Sequence, residues 1–143
     1  MEQRMTDREL IRLAEAARER AYAPYSGYTV GAALLAADGT VTTGVNVENA
    51  SYGGTICAER VAMARAVTEG KRGFRAIAVV GGKEGKPAET FFSPCGICRQ
   101  FLREFCGDDL RVLVACGEDV RVYTLGDLLP SGFSSDAMRE VRL

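Results

Sequence analysis

Two short segments carry residue types able to do chemistry: Cys57-Ala58-Glu59 and, after Pro94, Cys95-Gly96-Ile97-Cys98. They stand in a chain with five cysteines and no histidine. Without histidine there is no Ser-His-Asp or Cys-His nucleophile system, no zinc motif built on paired histidines and no histidine general base. A metal must then be held by thiolates or oxygen ligands. A C-x-x-C pair alone leaves three readings open: half a zinc site, a redox pair, or a structural coincidence. Pro94 favours a helix start there, where the helix dipole stabilises thiolates. Cys57 also sits where a loop enters a helix. Alone, Cys57-Ala58-Glu59 reads better as a small buried cysteine beside a surface glutamate.

Taken together the segments say more. Three thiolates from two helix starts fill three corners of a zinc tetrahedron and leave the fourth open to water. A carboxylate two residues beyond one ligand, Glu59, reaches that water without binding the metal and moves its proton. Three thiolates on Zn²⁺ leave a net charge of −1, which opposes deprotonation of the water. Helix N-termini offset part of that charge. Arg60 lies three residues after Cys57 on the same helical face, so its guanidinium can donate to ligand sulfurs; the plainer alternative is a surface arginine. A closed four-sulfur site of Cys95, Cys98, Cys106 and Cys116 is the rival. Cys98 and Cys106 share one predicted helix, about 12 Å apart by rise. Sulfurs on one zinc must lie within about 4 Å, so Cys106 and Cys116 read better as small buried hydrophobes.

The elements that position these residues follow from local pattern. Thr6-Asp7-Arg8-Glu9 is a capping box, and Leu10, Leu13, Ala14, Ala17 and Ala21 recur at helical spacing towards Tyr22. Val30 to Ala36 and Val41 to Val47 read as a hairpin around Asp38-Gly39. Asn46 to Thr55 reads as a loop. Ala58 to Glu69 is a helix closed by Gly70, with so little polar face that burial is expected. Phe74 to Val80 reads as a buried strand, 81–87 as a loop, and Phe91-Phe92 as the end of a further element. Cys95 to Cys106 is a helix, Leu110 to Ala115 and Val120 to Thr124 are strands, and Leu125 to Leu129 is a short helix. The last two strands are joined by too few residues for a parallel crossover and must be antiparallel. The order points to a three-layer α/β/α domain with a mixed five-stranded sheet.

The 143 residues fit one domain, 1–143, and 47% apolar residues can fill its core. Eighteen basic against nineteen acidic side chains give a net charge of −1, which argues against a phosphate-tracking nucleic-acid binder. Met1 to Glu9 is too polar for a signal peptide, and no run of about 18 apolar residues would span a bilayer. A reducing cytoplasm is the expected setting, where cysteines point to metal or catalysis.

The chain resembles the small, homotetrameric class of zinc-dependent cytidine deaminases over almost its whole length. The resemblance rests on Tyr25-Ser26 and Val30 to Leu34, Asn46 to Tyr52, Cys57 to Arg60, Ser93 to Gln100, Leu128 to Pro130, and Phe133 to Ser135. The cysteine-glutamate spacing resembles the three-cysteine form of the zinc-deaminase signature. The resemblance implies hydrolytic deamination of cytidine and 2′-deoxycytidine to uridine and 2′-deoxyuridine with release of ammonia, in pyrimidine salvage. It implies one Zn²⁺ per chain on Cys57, Cys95 and Cys98, and Glu59 as the proton shuttle to the base N3 and the leaving amine. Asn46 and Glu48 would hold the ribose hydroxyls, and Val47 and Ala58 would line the substrate pocket. Tyr28 would stack on the base where relatives often carry Phe. Phe133 and Tyr52 would reach across subunits of a homotetramer with shared sites. No nucleic acid or membrane partner is implied. A deaminase of another aminopyrimidine nucleoside such as blasticidin S shares the zinc segments. A polynucleotide deaminase and a non-catalytic zinc scaffold are the remaining alternatives.

Overall fold

The structure, a computed structural model, describes residues 4–141. Helix α1 (Asp7–Ala17) starts at the capping box: Thr6 Oγ1 accepts from Glu9 N at 3.1 Å, and the Glu9 carboxylate accepts from Thr6 N. It ends earlier than the apolar spacing predicts. After a 3-10 turn at Arg18–Arg20 the chain becomes extended, because Tyr22 pairs through its backbone with Asn46 and Glu48. Leu13, predicted on the apolar face, points outward, while Leu10 and Ala14 are buried.

Strand β1 (Tyr28–Ala36) turns through Asp38-Gly39 into β2 (Val41–Val45) as predicted, antiparallel, from Leu35 opposite Val41 to Gly31 opposite Val45. Helix α2 (Ala58–Thr68) follows and ends in a Schellman-type cap. Gly70, at φ 91°, donates to Val67 O, and Lys71 donates to Ala66 O. Its inward face is buried as expected, but Ala64 and Arg65 form an exposed face.

Strand β3 is Phe74–Lys83, longer than predicted. Gly81 and Gly82 do not start a loop; they pair with Val30 and Thr29 of β1. The ring of Phe92 lies on Gly81, where a Cβ would stand 2.5 Å from Phe92 Cδ2, and the Arg18 guanidinium covers Gly82. Glycine is chosen here for close approach rather than for a turn. No strand or helix ends at Phe91-Phe92: residues 84–95 are irregular. Helix α3 (Gly96–Phe105) leads to β4 (Arg111–Cys116), β5 (Asp119–Thr124) and α4 (Leu125–Leu128). Helix α5 (Ser135–Val141) was not anticipated; it is short and has no apolar periodicity to signal it.

The sheet order is β2-β1-β3-β4-β5, with β3 and β4 parallel and every other neighbour antiparallel. Leu10 and Ala14 of α1 pack on one face with Ala33, Ala78 and Leu113. Ala62 and Met63 of α2 and Leu102 of α3 pack on the other with Leu34, Ile77 and Val112. The expected three-layer α/β/α arrangement with an antiparallel last pair is therefore present. Among the described residues no helix is long and apolar enough to cross a membrane.

Gly44 lets α2 approach β2: a Cβ there would stand 2.6 Å from Ala58 O and would also strike Ala62 N. Both are backbone atoms, so the helix must move. Gly44→Ala is expected to cost about 1–3 kcal/mol and to lower Tm by several degrees, as read by thermal unfolding.

Candidate metal centre and substrate site

Cys57 is the N-cap of α2 and Cys95 the N-cap of α3, both in extended backbone, and Cys98 lies one turn into α3. Neither cap is closed by a side-chain hydrogen bond, and the positive dipole ends of both helices lie at the N-cap cysteines. The three sulfurs lie within 4.8 Å of one another, Cys95 to Cys98 at 3.4 Å and Cys57 to Cys95 at 3.9 Å. Two sulfurs 2.3 Å from one zinc stand about 3.8 Å apart, so the cluster already has the dimensions of a tetrahedral edge. Among the described residues it is the one group of three able to hold a metal. Cys106 packs at the far end of α3, where burial pushes its thiol up to about 12, and Cys116 donates to Ala88 O. The four-cysteine rival is not assembled.

As thiols, Cys57 and Cys98 share protons unequally. The hydrogen bond from Cys98 holds Cys57 down to about 5, while that same bond, and then burial, raises Cys98 far above the usual thiol range. Arg60 lies where the charge argument requires. Its Nη2 is 3.9 Å from Cys57 Sγ and 3.3 Å from Thr55 O, and its Nε is buried without a partner among the protein atoms. A guanidinium whose Nη2 stands beside a ligand sulfur fits a site whose thiolates carry excess negative charge.

Glu59 is only 4% exposed. Burial pushes its carboxyl up to about 7, against the lowering effect of its own backbone N–H at the helix start. It is not a surface residue. Ala58, between Cys57 and Glu59, is fully buried and packs in the apolar core.

Asn46 and Glu48 are both occupied within the fold. The Asn46 amide accepts from Val30 N at 2.8 Å and donates to Tyr28 O at 2.9 Å, continuing the β1 ladder beyond the end of β2. Glu48 accepts from Tyr25 N, Ser26 N and Ser26 Oγ, and the Ser26 hydroxyl holds its carboxyl below the usual range. Ser26 Oγ also accepts from Tyr28 N. One serine therefore fixes both Glu48 and the start of β1. That role was not visible in the sequence, because it depends on contacts across more than twenty residues. Val47 forms a two-sided backbone bridge with Tyr22 and Ile56, and its side chain points out. The Tyr28 ring is exposed beside Phe92, centroids 6.0 Å apart, rather than in the core. Tyr25, Ser26, Glu48, Tyr52 and Thr55 line a cavity of about 220 Å³. Phe133 is 61% exposed and Tyr52 74%. A larger cleft of about 580 Å³ beside Arg18 shares no lining residue with the sulfur cluster. Arg18 is there consumed by the carbonyls of Thr29, Lys83 and Lys86.

A family model described as "Cytidine and deoxycytidylate deaminase zinc-binding region" matches residues 4–115. A cytidine deaminase of Sporosarcina psychrophila is 47% identical over 129 residues, 90% of this chain and 91% of that protein. Another, from Halalkalibacterium halodurans, is 46% identical over 132 residues, 92% of this chain and 96% of that protein. The crystal structure of cytidine deaminase from Burkholderia pseudomallei superposes with a TM-score of 0.82 at 52% identity, covering 90% of this chain and all of that one. That from Mycobacterium tuberculosis gives 0.76 at 42% identity, covering 90% and 98%.

X-ray absorption on the zinc-loaded protein should find three sulfurs and one lighter atom around the metal. Cys106→Ala and Cys116→Ala should retain about one zinc per chain by elemental analysis; loss in either would return the four-cysteine site.

Proposed function

The chain belongs to the cytidine and deoxycytidylate deaminase family, and from that premise we propose how its residues divide the hydrolytic deamination of cytidine to uridine and ammonia. The observation that carries the reading is the juxtaposition of three sulfurs at two helix starts with one buried, proton-avid carboxylate. Cys57, Cys95 and Cys98 hold zinc. When bound, it supplies Lewis acidity that makes water a nucleophile near neutral pH. Glu59 accepts a proton from the attacking water on its carboxylate and delivers it to N3 of the base. It then takes the second proton from the hydroxyl now on C4 and passes it to the amine, which departs as ammonia as the C4–N bond breaks and the C4 carbonyl forms. A buried carboxyl two residues from a ligand sulfur, shielded from bulk water, suits both halves of that transfer. Arg60 draws charge from the sulfurs by donating to them.

The 2′-deoxynucleoside is read as a second substrate. Glu48, held on one side by Tyr25 and Ser26, presents its remaining acceptor capacity to a ribose hydroxyl. Asn46 has one amide hydrogen beyond its bond to Tyr28 O. Val47 and the Ala58 backbone form the pocket wall, and the Tyr28 ring stacks on the base. Residues 1–143 act as one domain in cytoplasmic pyrimidine salvage.

Ammonia release from cytidine should disappear with a chelator and return with zinc. Glu59→Gln should lower kcat by at least about 10²–10⁴-fold with zinc and fold retained, since the amide matches the carboxylate in size but carries no proton. Arg60→Gln should lose turnover strongly with a smaller loss of zinc; adding Cys57→His, a neutral ligand, should restore part of it. Near-normal turnover in Glu59→Gln would end the assignment.

A homotetramer is the proposed assembly. Tyr25, Tyr52, Ile97 and Phe133 expose large apolar surfaces, and Tyr25 and Tyr52 already stack at 5.8 Å. A contiguous apolar patch marks an interaction surface; the Tyr25–Tyr52 pair is a small patch of this kind, and Tyr52 and Phe133 are the proposed cross-subunit contacts. Light scattering should give four chains; a fully active monomer would refute it.

A further inference from the structure

We propose that Arg99 is a positioning residue that couples the metal centre to the tail segment carrying Phe133. The proposal rests on the reading that Cys95 and Cys98 bind zinc and that Phe133 takes part in a site.

Arg99 directly follows Cys98, and its backbone N–H donates to Cys95 O. Its guanidinium reaches three acceptors. Nε donates to Pro94 O at 2.7 Å, Nη2 to Ser93 Oγ at 3.0 Å, and Nη1 to Leu128 O at 2.8 Å. Two of these lie in the irregular stretch that delivers Cys95. The third is at the C-terminal end of α4. The next residue, Gln100, donates through Nε2 to Phe133 O at 2.9 Å. Neighbouring side chains of α3 thus hold both the approach to a ligand and the tail.

Helix stability does not explain an arginine here. A cation in the first turns of a helix opposes the dipole. The 84–95 segment has no strand or helix to satisfy its carbonyls, and the planar fork of Arg99 takes up one of them, Pro94 O, together with the Ser93 hydroxyl. Lysine, a single point charge, cannot serve three acceptors spread over a plane. The Pro94 carbonyl belongs to the peptide leading into Cys95, so fixing it fixes the direction from which that sulfur arrives. When zinc pins Cys95 and Cys98, the same bonds tighten the Leu128 carbonyl and the chain beyond it. The coupling must be reciprocal: what loosens the tail bond weakens metal binding, and what removes metal loosens the tail.

Two readouts independent of turnover test this on the full chain. Zinc affinity is measured by competition with a chromophoric chelator, and amide hydrogen exchange is followed across residues 125–134 in zinc-loaded and zinc-free protein. Arg99→Met should bind zinc about 10–100-fold more weakly, the scale seen when groups supporting a ligand are lost, and Arg99→Lys should fall between. In the unsubstituted protein, removing zinc should speed exchange across 125–134. In Arg99→Met exchange should be fast with or without zinc. Ser93→Ala, which deletes one exposed acceptor, should show the same direction on a smaller scale and serves if Arg99→Met does not fold. Zinc affinity within twofold of the unsubstituted chain in both folded variants, or tail exchange indifferent to zinc, overturns the proposal. Failure of the unsubstituted chain to bind zinc overturns the metal reading beneath it.

Discussion

Two helices must begin within one sulfur–sulfur distance of each other, and the rest of the molecule is arranged around that requirement. A helix start carries unpaired N–H groups and a positive dipole end, so two such starts repel unless anions lie between them. Cys57 and Cys95 are the N-caps themselves, and neither helix start is closed by another side chain. The sheet supplies the force that keeps the pair in place. Helix α2 lies against β2 where Gly44 has no Cβ, and α2 and α3 share one apolar layer over Leu34, Ile77 and Val112. Apolar burial at one end of these helices thus offsets the electrostatic cost at the other.

That arrangement also sets the character of the proton-carrying group. Glu59 is in the first turn of α2, where a carboxylate would ordinarily be stabilised. Burial outweighs the dipole and raises its proton affinity instead. Arg60, the next residue, faces Cys57 and Thr55 O. In the proposed mechanism, adjacent residues on one helical turn therefore receive opposite assignments, one to move a proton and the other to hold a fixed charge on the sulfurs.

The chemistry was readable from the sequence because cysteines spaced at helix starts, followed by a glutamate, have few other uses in a chain without histidine. The capping box at Thr6 and the hairpin at Asp38-Gly39 were readable because their signals are local. Gly81-Gly82 was misread as a loop because glycine commonly breaks a strand; its reason here is Phe92 and Arg18, side chains distant in sequence that close over it. Asn46 and Glu48 were assigned by resemblance, but their bonding to Val30, Tyr28 and Ser26 belongs to the tertiary structure alone. Arg99-Gln100 stood within a matching motif and carried no role until the acceptors of both side chains were located in space.

The double bond of Asn46 to β1 bears on how such a pocket can change. Its amide acts as one more rung of the ladder, accepting from Val30 and donating to Tyr28 where β2 has ended. Any other side chain at that position alters the sheet edge as well as the proposed contact with a sugar. Asn46 is therefore poor material for evolving or engineering a new preference. The adaptable parts are those that project from the frame: the Tyr28 ring and the short loop gathered by Ser26 around Glu48. Divergence among enzymes built this way should accumulate in those two places, while the amide beside them stays fixed by the architecture it completes.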